Sequence, residues 1–256
     1  MYMSNLRVSL KGQAAIVTGA GGGLGSVFAT ALADAGANVL VTDFNGAAAE
    51  ATAARLTAKG LSARSFKADV TSAQETAAMA KFAHDTFGRI DILVNTAAYM
   101  EPVLQPLLTY SMDLWRRTLE VNLTGPLNCV RAAAPFMAER KYGRIVNISS
   151  GGAYASLHAY GVSKLALQGL TSYLASELGP AGVTINAIAP GALNTAQGDK
   201  ARPPQFLESL RAVTPLKPMG EPQDLVGALL FLVSEGASWV TGEIIRVDGG
   251  WIKSVL

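Results

Sequence analysis

Seven short apolar runs alternate with longer, helix-like segments along this chain of 256 residues. The runs cover residues 14–18, 38–43, 63–68, 90–95, 144–149, 183–189 and 243–247, and all but 63–68 are rich in Val and Ile. The segments between them, many of them rich in Ala, cover residues 25–35, 47–59, 72–87, 112–140 (as one helix or two), 159–178, 204–212 and 222–234. This alternation predicts βαβ units, in which a parallel sheet carries helices on both faces. Nearly continuous apolar strands fit a sheet that is buried on both sides.

The length and composition fit a single α/β domain over residues 1–256. Half of the residues are hydrophobic and 16% are charged, so the chain can bury a large core. The net charge of +2 comes from scattered side chains, which argues against a nucleic-acid or membrane surface. No apolar run approaches the roughly 18 residues of a membrane span, and the first residues lack a signal-peptide pattern. The single cysteine, Cys129, fits a reducing compartment. We therefore expect a cytoplasmic protein.

A glycine-rich turn follows the first apolar run and leads into the first helical segment, as Thr18-Gly-Ala-Gly-Gly-Gly-Leu-Gly25. This is the context of a dinucleotide-binding fingerprint. Glycines let the backbone approach a pyrophosphate, and the helix N-terminus offers free N–H groups to it. The spacing Gly-x-x-x-Gly-x-Gly differs from the more familiar Gly-x-Gly-x-x-Gly, and a merely structural turn is the alternative. The predicted cofactor contacts here are Gly19, Gly23, Leu24 and Gly25.

An acidic residue, Asp43, ends the second apolar run. A carboxylate at this position can accept hydrogen bonds from the adenosine ribose hydroxyls, and it repels a 2′-phosphate. No Arg or Lys lies between Thr18 and Asp43, and Phe44-Asn45-Gly46 follows. The sequence therefore predicts NAD rather than NADP. The alternative is that Asp43 caps the next helix.

Polar residues also end the third and fourth runs. Asp69-Val70 follows the third run, and Asn95 ends the fourth. Ligands of a doubly wound sheet bind at the carboxyl ends of its strands, so we expect these three residues to face the cofactor crevice. For Asp69, capping of the helix that starts near Ser72 is an equal alternative.

A tyrosine and a lysine lie four residues apart in Tyr160-Gly-Val-Ser-Lys164, and no other tyrosine has a lysine at this spacing. Residues i and i+4 share one face of a helix, so the ammonium can lie close to the phenol. A nearby cation favours the phenolate and lowers the pKa of a tyrosine from its usual value of about 10. Such a tyrosine can exchange a proton with an alcohol or a carbonyl. The pair alone is weak evidence, but Ser149-Ser150 ends an apolar run just upstream.

Together these motifs resemble the short-chain dehydrogenase/reductase family over nearly the whole chain. The resemblance rests on Thr18-Gly-x-x-x-Gly-x-Gly25, Asn95-Thr-Ala-Ala, Asn122, Ser150, Tyr160-x-x-x-Lys164 and Pro190-Gly191. It implies a single-domain, Rossmann-like doubly wound fold with a mostly parallel seven-stranded sheet. It also implies an NAD-dependent oxidoreductase that interconverts a secondary alcohol and a ketone by direct hydride transfer.

The resemblance implies a role for each matching residue. Tyr160 is the general acid/base, and Lys164 tunes it and binds the nicotinamide ribose. Ser150 polarises the substrate oxygen, the second serine of the pair being favoured by the family pattern. Asn122 holds a water that links Lys164 to solvent. Contacts on the nicotinamide side are expected from Pro190, Gly191, Leu193 and Thr195, and no metal is needed.

The chain departs from the family pattern in two places. Asn95-Thr96-Ala97-Ala98 stands where the family usually has Asn-Asn-Ala-Gly, which reduces the backbone freedom at Ala98. The stretch from Ser150 to Tyr160 is also a few residues shorter than usual. Because this stretch lines the substrate side in the family, we expect a pocket that is more open or differently shaped.

Few sequence features bear on the identity of the substrate. A long irregular stretch begins at Pro190, and we expect a substrate loop at about 190–215. The residues expected to line the substrate pocket are apolar, which suggests a substrate with an apolar or ring-like body. They are Met100, Val103, Leu104, Tyr154, Leu193 and Phe206. His158, Lys200 and Arg202 are more simply read as solvated or packed side chains.

Two other functions are compatible with the sequence, which also predicts an oligomer. One alternative is a 3-oxoacyl thioester reductase that uses NADPH, and the other is a non-catalytic NAD-binding sensor or scaffold. The resemblance and the apolar helix at 165–178 predict a homotetramer, with a dimer as the alternative.

Overall fold

The computed structural model describes residues 8–100, 106–154, 158–194, 204–217 and 219–252, without the side chains of residues 204, 206 and 207. Among these residues are seven strands: β1 Ala14–Thr18, β2 Asn38–Asp43, β3 Ala63–Lys67, β4 Ile92–Asn95, β5 Gly143–Ile148, β6 Val183–Pro190 and β7 Ile244–Val247. The α-helices are α1 Gly23–Asp34, α2 Gly46–Thr57, α3 Ala73–Phe87, α4 Met112–Leu119, α5 Gly125–Glu139, α6 His158–Leu178, α7 Pro204–Val213 and α8 Val226–Val233. The predicted strand–helix alternation is confirmed.

The strands form one sheet in the order β3-β2-β1-β4-β5-β6-β7, and every neighbouring pair is parallel. The strand order reverses between β1 and β4, where connections leave to opposite sides. Such a switch point opens a crevice at the carboxyl ends of the strands, where ligands bind. The predicted Rossmann-like doubly wound α/β fold is therefore confirmed.

Two apolar layers cover the sheet because neighbouring strands present matching residues to the same face. On one face Val17, in register with Val41 and Val94, packs with α1, α2 and α8. On the other face Ile16, in register with Leu40 and Leu93, packs with α3 and α5. All of these strand side chains are buried, as the continuous apolar runs predict.

Two of the differences between the predicted and the observed limits have a clear structural cause. β4 begins at Ile92 rather than residue 90, since the buried Asp91 carboxylate accepts hydrogen bonds from Ala14 N–H (2.8 Å) and the Arg89 guanidinium (2.6 Å). The predicted helix at 112–140 is two helices joined by a π-helical turn, Glu120–Thr124, in which Gly125 N–H donates to Glu120 C=O. π turns are rare and occur frequently at functional sites.

Candidate active site

The glycine-rich turn between β1 and α1 is packed too closely for larger residues. Gly19 has φ +62°, and a Cβ atom there would lie 2.7 Å from Ala97 Cα. The turn thus lies against the segment that follows β4. Gly23 and Gly25 lie in the first turn of α1, and Leu24 packs against the core.

The N-terminus of α1 has no side-chain cap, in contrast to α2 and α3. Asn45 accepts from Ala48 N–H (3.2 Å) at α2, and Ser72 accepts from Glu75 N–H (3.2 Å) at α3. A Cβ atom on Gly22, the residue before α1, would meet no atom within 4 Å. The first N–H groups of α1 are therefore available to an anion at the crevice.

Asp43, at the end of β2, is held beside this turn by two backbone groups. Gly21 N–H donates to Oδ2 (2.9 Å), and Asn45 N–H donates to Oδ1 (2.9 Å). Because Asn45 supplies the cap of α2, the capping alternative for Asp43 is wrong. The carboxylate is positioned next to the uncapped end of α1.

A cation that sequence spacing did not reveal lies on the neighbouring strand. Lys67, the last residue of β3, is in register with Asp43. A Cβ atom on Gly46 would lie 3.2 Å from Lys67 Cβ, so the lysine stem runs past the start of α2. Lys67 is exposed and forms no ion pair with any residue that the structure describes. The acid that predicts NAD therefore has an unpaired lysine as its neighbour.

Asp69 and Val70, after β3, fix the next turn. Asp69 Oδ1 accepts from Thr71 N–H (2.9 Å) and Oγ1 (2.8 Å), whereas Ser72 caps α3. The capping alternative for Asp69 is therefore wrong as well. The Val70 side chain is buried in the core cluster beside α5.

Asn95, at the end of β4, ties strands together within the protein. Its Nδ2 donates to Asn147 Oδ1 (2.8 Å), and Asn147 Nδ2 donates to Thr171 Oγ1 on α6 (2.9 Å). Asn95 Oδ1 is buried and has no hydrogen-bond partner among the residues that the structure describes. The side chain of Asn95 thus links β4, β5 and α6 below the crevice.

Tyr160 and Lys164 lie one turn apart on α6, as their spacing predicts. Lys164 is 2% exposed, and its Nζ donates to Ile148 C=O at the end of β5 (2.7 Å). The same Nζ lies 5.7 Å from the centroid of the Tyr160 ring. Burial lowers the pKa of Lys164 to about 8. No described carboxylate forms an ion pair with it.

The two serines after β5 point in different directions. The buried Ser149 donates from Oγ to Lys164 C=O (3.1 Å) and accepts from Gln168 Nε2 (2.8 Å). Ser150 is more exposed, and its Oγ accepts from Gly152 N–H (2.9 Å). Of the two serines, only Ser150 has a hydroxyl hydrogen without an acceptor among the described residues.

Asn122 lies in the π-helical turn between α4 and α5 and is fully buried. Its Oδ1 accepts from Tyr99 N–H (2.7 Å), and its Nδ2 donates to Tyr99 C=O (2.8 Å) and Ser163 Oγ (3.0 Å). Both amide hydrogens are thus used, and one lone pair of Oδ1 is left for a water. Ser163 Oγ in turn donates to Tyr160 C=O (2.7 Å), so Asn122 connects the segment after β4 to the start of α6.

The residues predicted to contact the nicotinamide lie at the end of β6 and beside the turn after β7. Pro190 ends β6, and Gly191 N–H donates to Val247 C=O (3.0 Å). A Cβ atom on Gly191 would lie 2.7 Å from Asp248 Cα, so a larger residue does not fit. Leu193 pairs with Gly220 and packs against the core.

The expected substrate walls are only partly described. Met100 is half-buried and Tyr154 is exposed, while a Cβ atom on Gly151 would lie 2.9 Å from the Trp251 indole. His158 begins α6 with φ +50°. Outside the described residues or side chains lie Thr195, Val103, Leu104, Phe206, Lys200 and Arg202.

The described residues form neither a metal site nor a membrane-spanning helix, and they expose no reactive thiol. There, no three His, Cys, Asp or Glu side chains lie close enough together to hold a metal. No described helix combines the length and apolar character of a membrane-crossing segment. Cys129 is fully buried, which raises the pKa of its thiol to about 12.

Comparison with known proteins finds relatives over nearly the whole chain. A family profile described as enoyl-(acyl carrier protein) reductase matches residues 19–252. An uncharacterized oxidoreductase of Mycobacterium tuberculosis is 44% identical over 239 residues, which are 93% of this chain and 96% of the relative. The 7alpha-hydroxysteroid dehydrogenase of Escherichia coli (strain K12) is 36% identical over 254 residues, which are 98% of each chain.

A solved structure carries the same fold. It is a 7alpha-hydroxysteroid dehydrogenase complexed with NADH and 7-oxo glycochenodeoxycholic acid, which matches with a TM-score of 0.92 and 35% identity. The match covers 99% of this chain and 100% of the other.

The chain belongs to the short-chain dehydrogenase/reductase family. The resemblance inferred from the sequence motifs is therefore confirmed. The family assignment makes the chain an oxidoreductase of a class that acts on CH–OH groups. Its dinucleotide would sit at the switch point, where the structure provides the uncapped end of α1 and the anchored Asp43 carboxylate.

Proposed function

We propose that this short-chain dehydrogenase/reductase interconverts a secondary alcohol and a ketone by direct hydride transfer, with NAD as cofactor. The observation that carries the proposal is the buried Lys164 ammonium, 5.7 Å from the centroid of the Tyr160 ring. Burying a charge without an ionic partner is costly, and an apolar side chain would fill a purely structural site better. The cost is understandable where the charge tunes a catalytic phenol.

Tyr160 would exchange the proton. During oxidation its phenolate oxygen takes the hydroxyl proton of the alcohol, and during reduction its phenol protonates the carbonyl oxygen. Lys164 favours the phenolate by its charge. Ser150, whose oxygen already accepts from Gly152 N–H, donates its hydrogen to the substrate oxygen and stabilises the developing alkoxide.

NAD, when bound, supplies the nicotinamide C4 that accepts or returns the hydride. The start of α1 would hold its pyrophosphate, and Asp43 would accept from the adenosine ribose hydroxyls. Lys164 would bind the nicotinamide ribose. The remaining predicted cofactor contacts are Asp69, Val70, Asn95, Pro190, Gly191, Leu193 and Thr195.

The described surroundings of Ser150 support a substrate with an apolar or ring-like body. Tyr154 is 47% exposed, and the Trp251 indole lies against Gly151, directly after Ser150. Hydroxysteroids, the substrate class named for the Escherichia coli relative, are therefore a suitable first test. NAD is normally abundant in its oxidised form, so we expect oxidation of the alcohol.

A carbonyl reductase that uses NADPH is the second candidate. Lys67 favours it, because this unpaired cation lies on the strand next to Asp43. A 3-oxoacyl thioester would be the substrate class, as named for a relative from Synechocystis sp. that is 34% identical over 249 residues. Asp43, which repels a 2′-phosphate, argues for NAD.

A homotetramer, with a dimer as the alternative, is part of the proposal. A shallow groove of about 430 Å³ between α5 and α6 is apolar and includes Leu123, Leu127, Leu170 and the exposed Tyr173. A second copy of the chain could cover this surface. Monomers in light scattering at micromolar concentration would contradict this assembly. A cytoplasmic location is also proposed, and the buried free thiol of Cys129 is compatible with it.

The test is a fluorescence titration with NADH and NADPH of the wild type, Asp43→Ala and a matched control, Asp34→Ala. Asp34 is an exposed acid at the far end of α1. We expect tight NADH binding by the wild type and the control, and a smaller NADH–NADPH difference for Asp43→Ala. Turnover of a panel of secondary alcohols, hydroxysteroids included, follows with the preferred cofactor. A wild-type preference for NADPH would contradict the NAD assignment.

A further inference from the structure

A chain of hydrogen bonds runs from Tyr154 to the backbone of the catalytic helix. Tyr154 Oη donates to Gln168 Oε1 (2.6 Å), and Gln168 Nε2 donates to Ser149 Oγ (2.8 Å). Ser149 Oγ then donates to Lys164 C=O (3.1 Å). Each hydroxyl and the amide oxygen in this chain has a partner, so its direction is fixed from the phenol to the helix.

The middle of this chain is inside the protein. Gln168 is 6% exposed and Ser149 is 2% exposed. Gln168 lies one turn after Lys164 and two turns after Tyr160, on the same face of α6. Breaking one bond would leave a buried polar group without its partner, which is costly. The bonds therefore hold Tyr154 in one place relative to α6.

Tyr154 belongs to the short segment that carries Ser150. Ser150 Oγ accepts from Gly152 N–H (2.9 Å), and Tyr154 N–H donates to Gly151 C=O (3.0 Å). The tight turn that aims Ser150 thus ends at Tyr154. Since the stretch from Ser150 to Tyr160 is short, holding Tyr154 in place also holds Ser150 in place.

We propose that Tyr154 and Gln168 are positioning residues that hold Ser150 in its productive orientation toward the substrate oxygen. This inference rests on the proposed dehydrogenase function. Neither residue needs to touch the reacting atoms. They act by fixing the turn at residues 151–153 to the helix that carries Tyr160 and Lys164.

The test compares Tyr154→Phe, Gln168→Leu and the double variant, each also in a Ser150→Ala background, by steady-state kinetics. One lost hydrogen bond and a sub-ångström shift of a catalytic group predict a fall in kcat of about 5- to 20-fold for each single variant. KM for the alcohol and NADH binding should change by less than about twofold. Because the two residues act in series, the double variant should lose no more than about the larger single loss.

The Ser150→Ala background separates positioning from general damage. There the Tyr154→Phe substitution should change the residual kcat by less than about twofold, since its target hydroxyl is gone. Tyr142→Phe is the matched control. It removes another phenol, which accepts from Gln13 Nε2 (3.2 Å) at the amino-terminal ends of β1 and β5, away from the crevice, and should leave kcat unchanged.

The outcomes distinguish this inference from the function on which it rests. An active wild type with unchanged kcat for Tyr154→Phe, or equal losses with and without Ser150, would overturn the inference alone. Losses that multiply in the double variant would show independent roles and would also overturn it. A wild type that turns over no alcohol or ketone with either cofactor would overturn the proposed function and the inference together.

Discussion

Replacing Lys164 by methionine should abolish activity and yet stabilise the fold. Burial lowers the pKa of Lys164 from 10.5 to about 8, a difference of 2.5. One pKa unit corresponds to about 1.4 kcal/mol, so at pH 7 the buried ammonium costs about 3 kcal/mol of folding free energy. Methionine has a similar length and no charge, and it removes this cost.

The net gain in folding stability of Lys164→Met is smaller than the free energy that burying the charge costs. Lys164→Met also removes the hydrogen bond from Nζ to Ile148 C=O (2.7 Å), which contributes about 1 kcal/mol. A net stabilisation of about 2 kcal/mol remains at pH 7. For a chain of this size, that corresponds to a rise in Tm of about 4–8 °C.

The pH dependence of the free energy of unfolding is a second, independent test of the buried charge. Below pH 8 both the folded and the unfolded chain carry the lysine proton, so the cost is fully present. Between pH 8 and 10.5 the folded protein loses this proton while the unfolded chain retains it. The unfolded state then binds more protons, and the free energy of unfolding rises with pH through this group. This rise should be absent from Lys164→Met.

Urea denaturation of the cofactor-free wild type and variant from pH 7 to pH 10 checks both the stabilisation at pH 7 and the loss of the pH dependence. Lys59→Met, which removes an exposed lysine near the end of α2, controls for the loss of one surface charge and should change stability by less than about 0.5 kcal/mol. A Lys164→Met protein that is less stable than the wild type at pH 7, with an unchanged pH profile, would refute the reasoning.

Further predictions concern the cofactor, the acid/base and the packing. Adding Lys67→Ala to Asp43→Ala should weaken NADPH binding by about 3- to 10-fold relative to Asp43→Ala, because the remaining cation is lost; equal NADPH affinities in the titration would contradict the role of Lys67. Tyr160→Phe should lower kcat by at least about 10³-fold with NADH affinity nearly unchanged, since only the proton donor is removed; stopped-flow kinetics would show it. Gly191→Ala should destabilise by about 1–3 kcal/mol, because its Cβ would lie 2.7 Å from Asp248 Cα. Gly227→Ala, whose Cβ in α8 would meet nothing within 4 Å, should be neutral or stabilising by up to about 1 kcal/mol. Thermal melts of the two glycine variants would measure both changes.

Local patterns in the sequence predicted the architecture. Short apolar runs mark the parallel strands, whose carboxyl ends carry the glycine turn, Asp43 and Ser150. The i, i+4 spacing of Tyr160 and Lys164 is a property of one helix, so it needed no knowledge of tertiary contacts.

Contacts between distant segments could not be predicted in this way. Lys67 faces Asp43 only because β2 and β3 pair in one register, which spacing does not determine. Asp43 and Asp69 were plausible caps, but Asn45 and Ser72, each placed directly before its helix, cap α2 and α3. The Asn122 amide bonds to Tyr99 across the fold, and no motif or spacing predicts this pairing.

Helix α6 is aligned on the sheet by polar side chains as well as by apolar packing. Three largely buried hydrogen-bond systems attach it to β4, β5 and the segments that follow them: Asn122 to Ser163, Asn95 through Asn147 to Thr171, and Tyr154 through Gln168 to Ser149. Hydrogen bonds are directional, whereas apolar contacts tolerate sliding, so these systems determine where Tyr160 and Lys164 point. Their net contribution to stability is small per bond, about 1 kcal/mol, while a shift of about 1 Å at a catalytic group can cost about 100-fold in rate. Substitutions that break one of these bonds should therefore reduce catalysis in a protein that still folds.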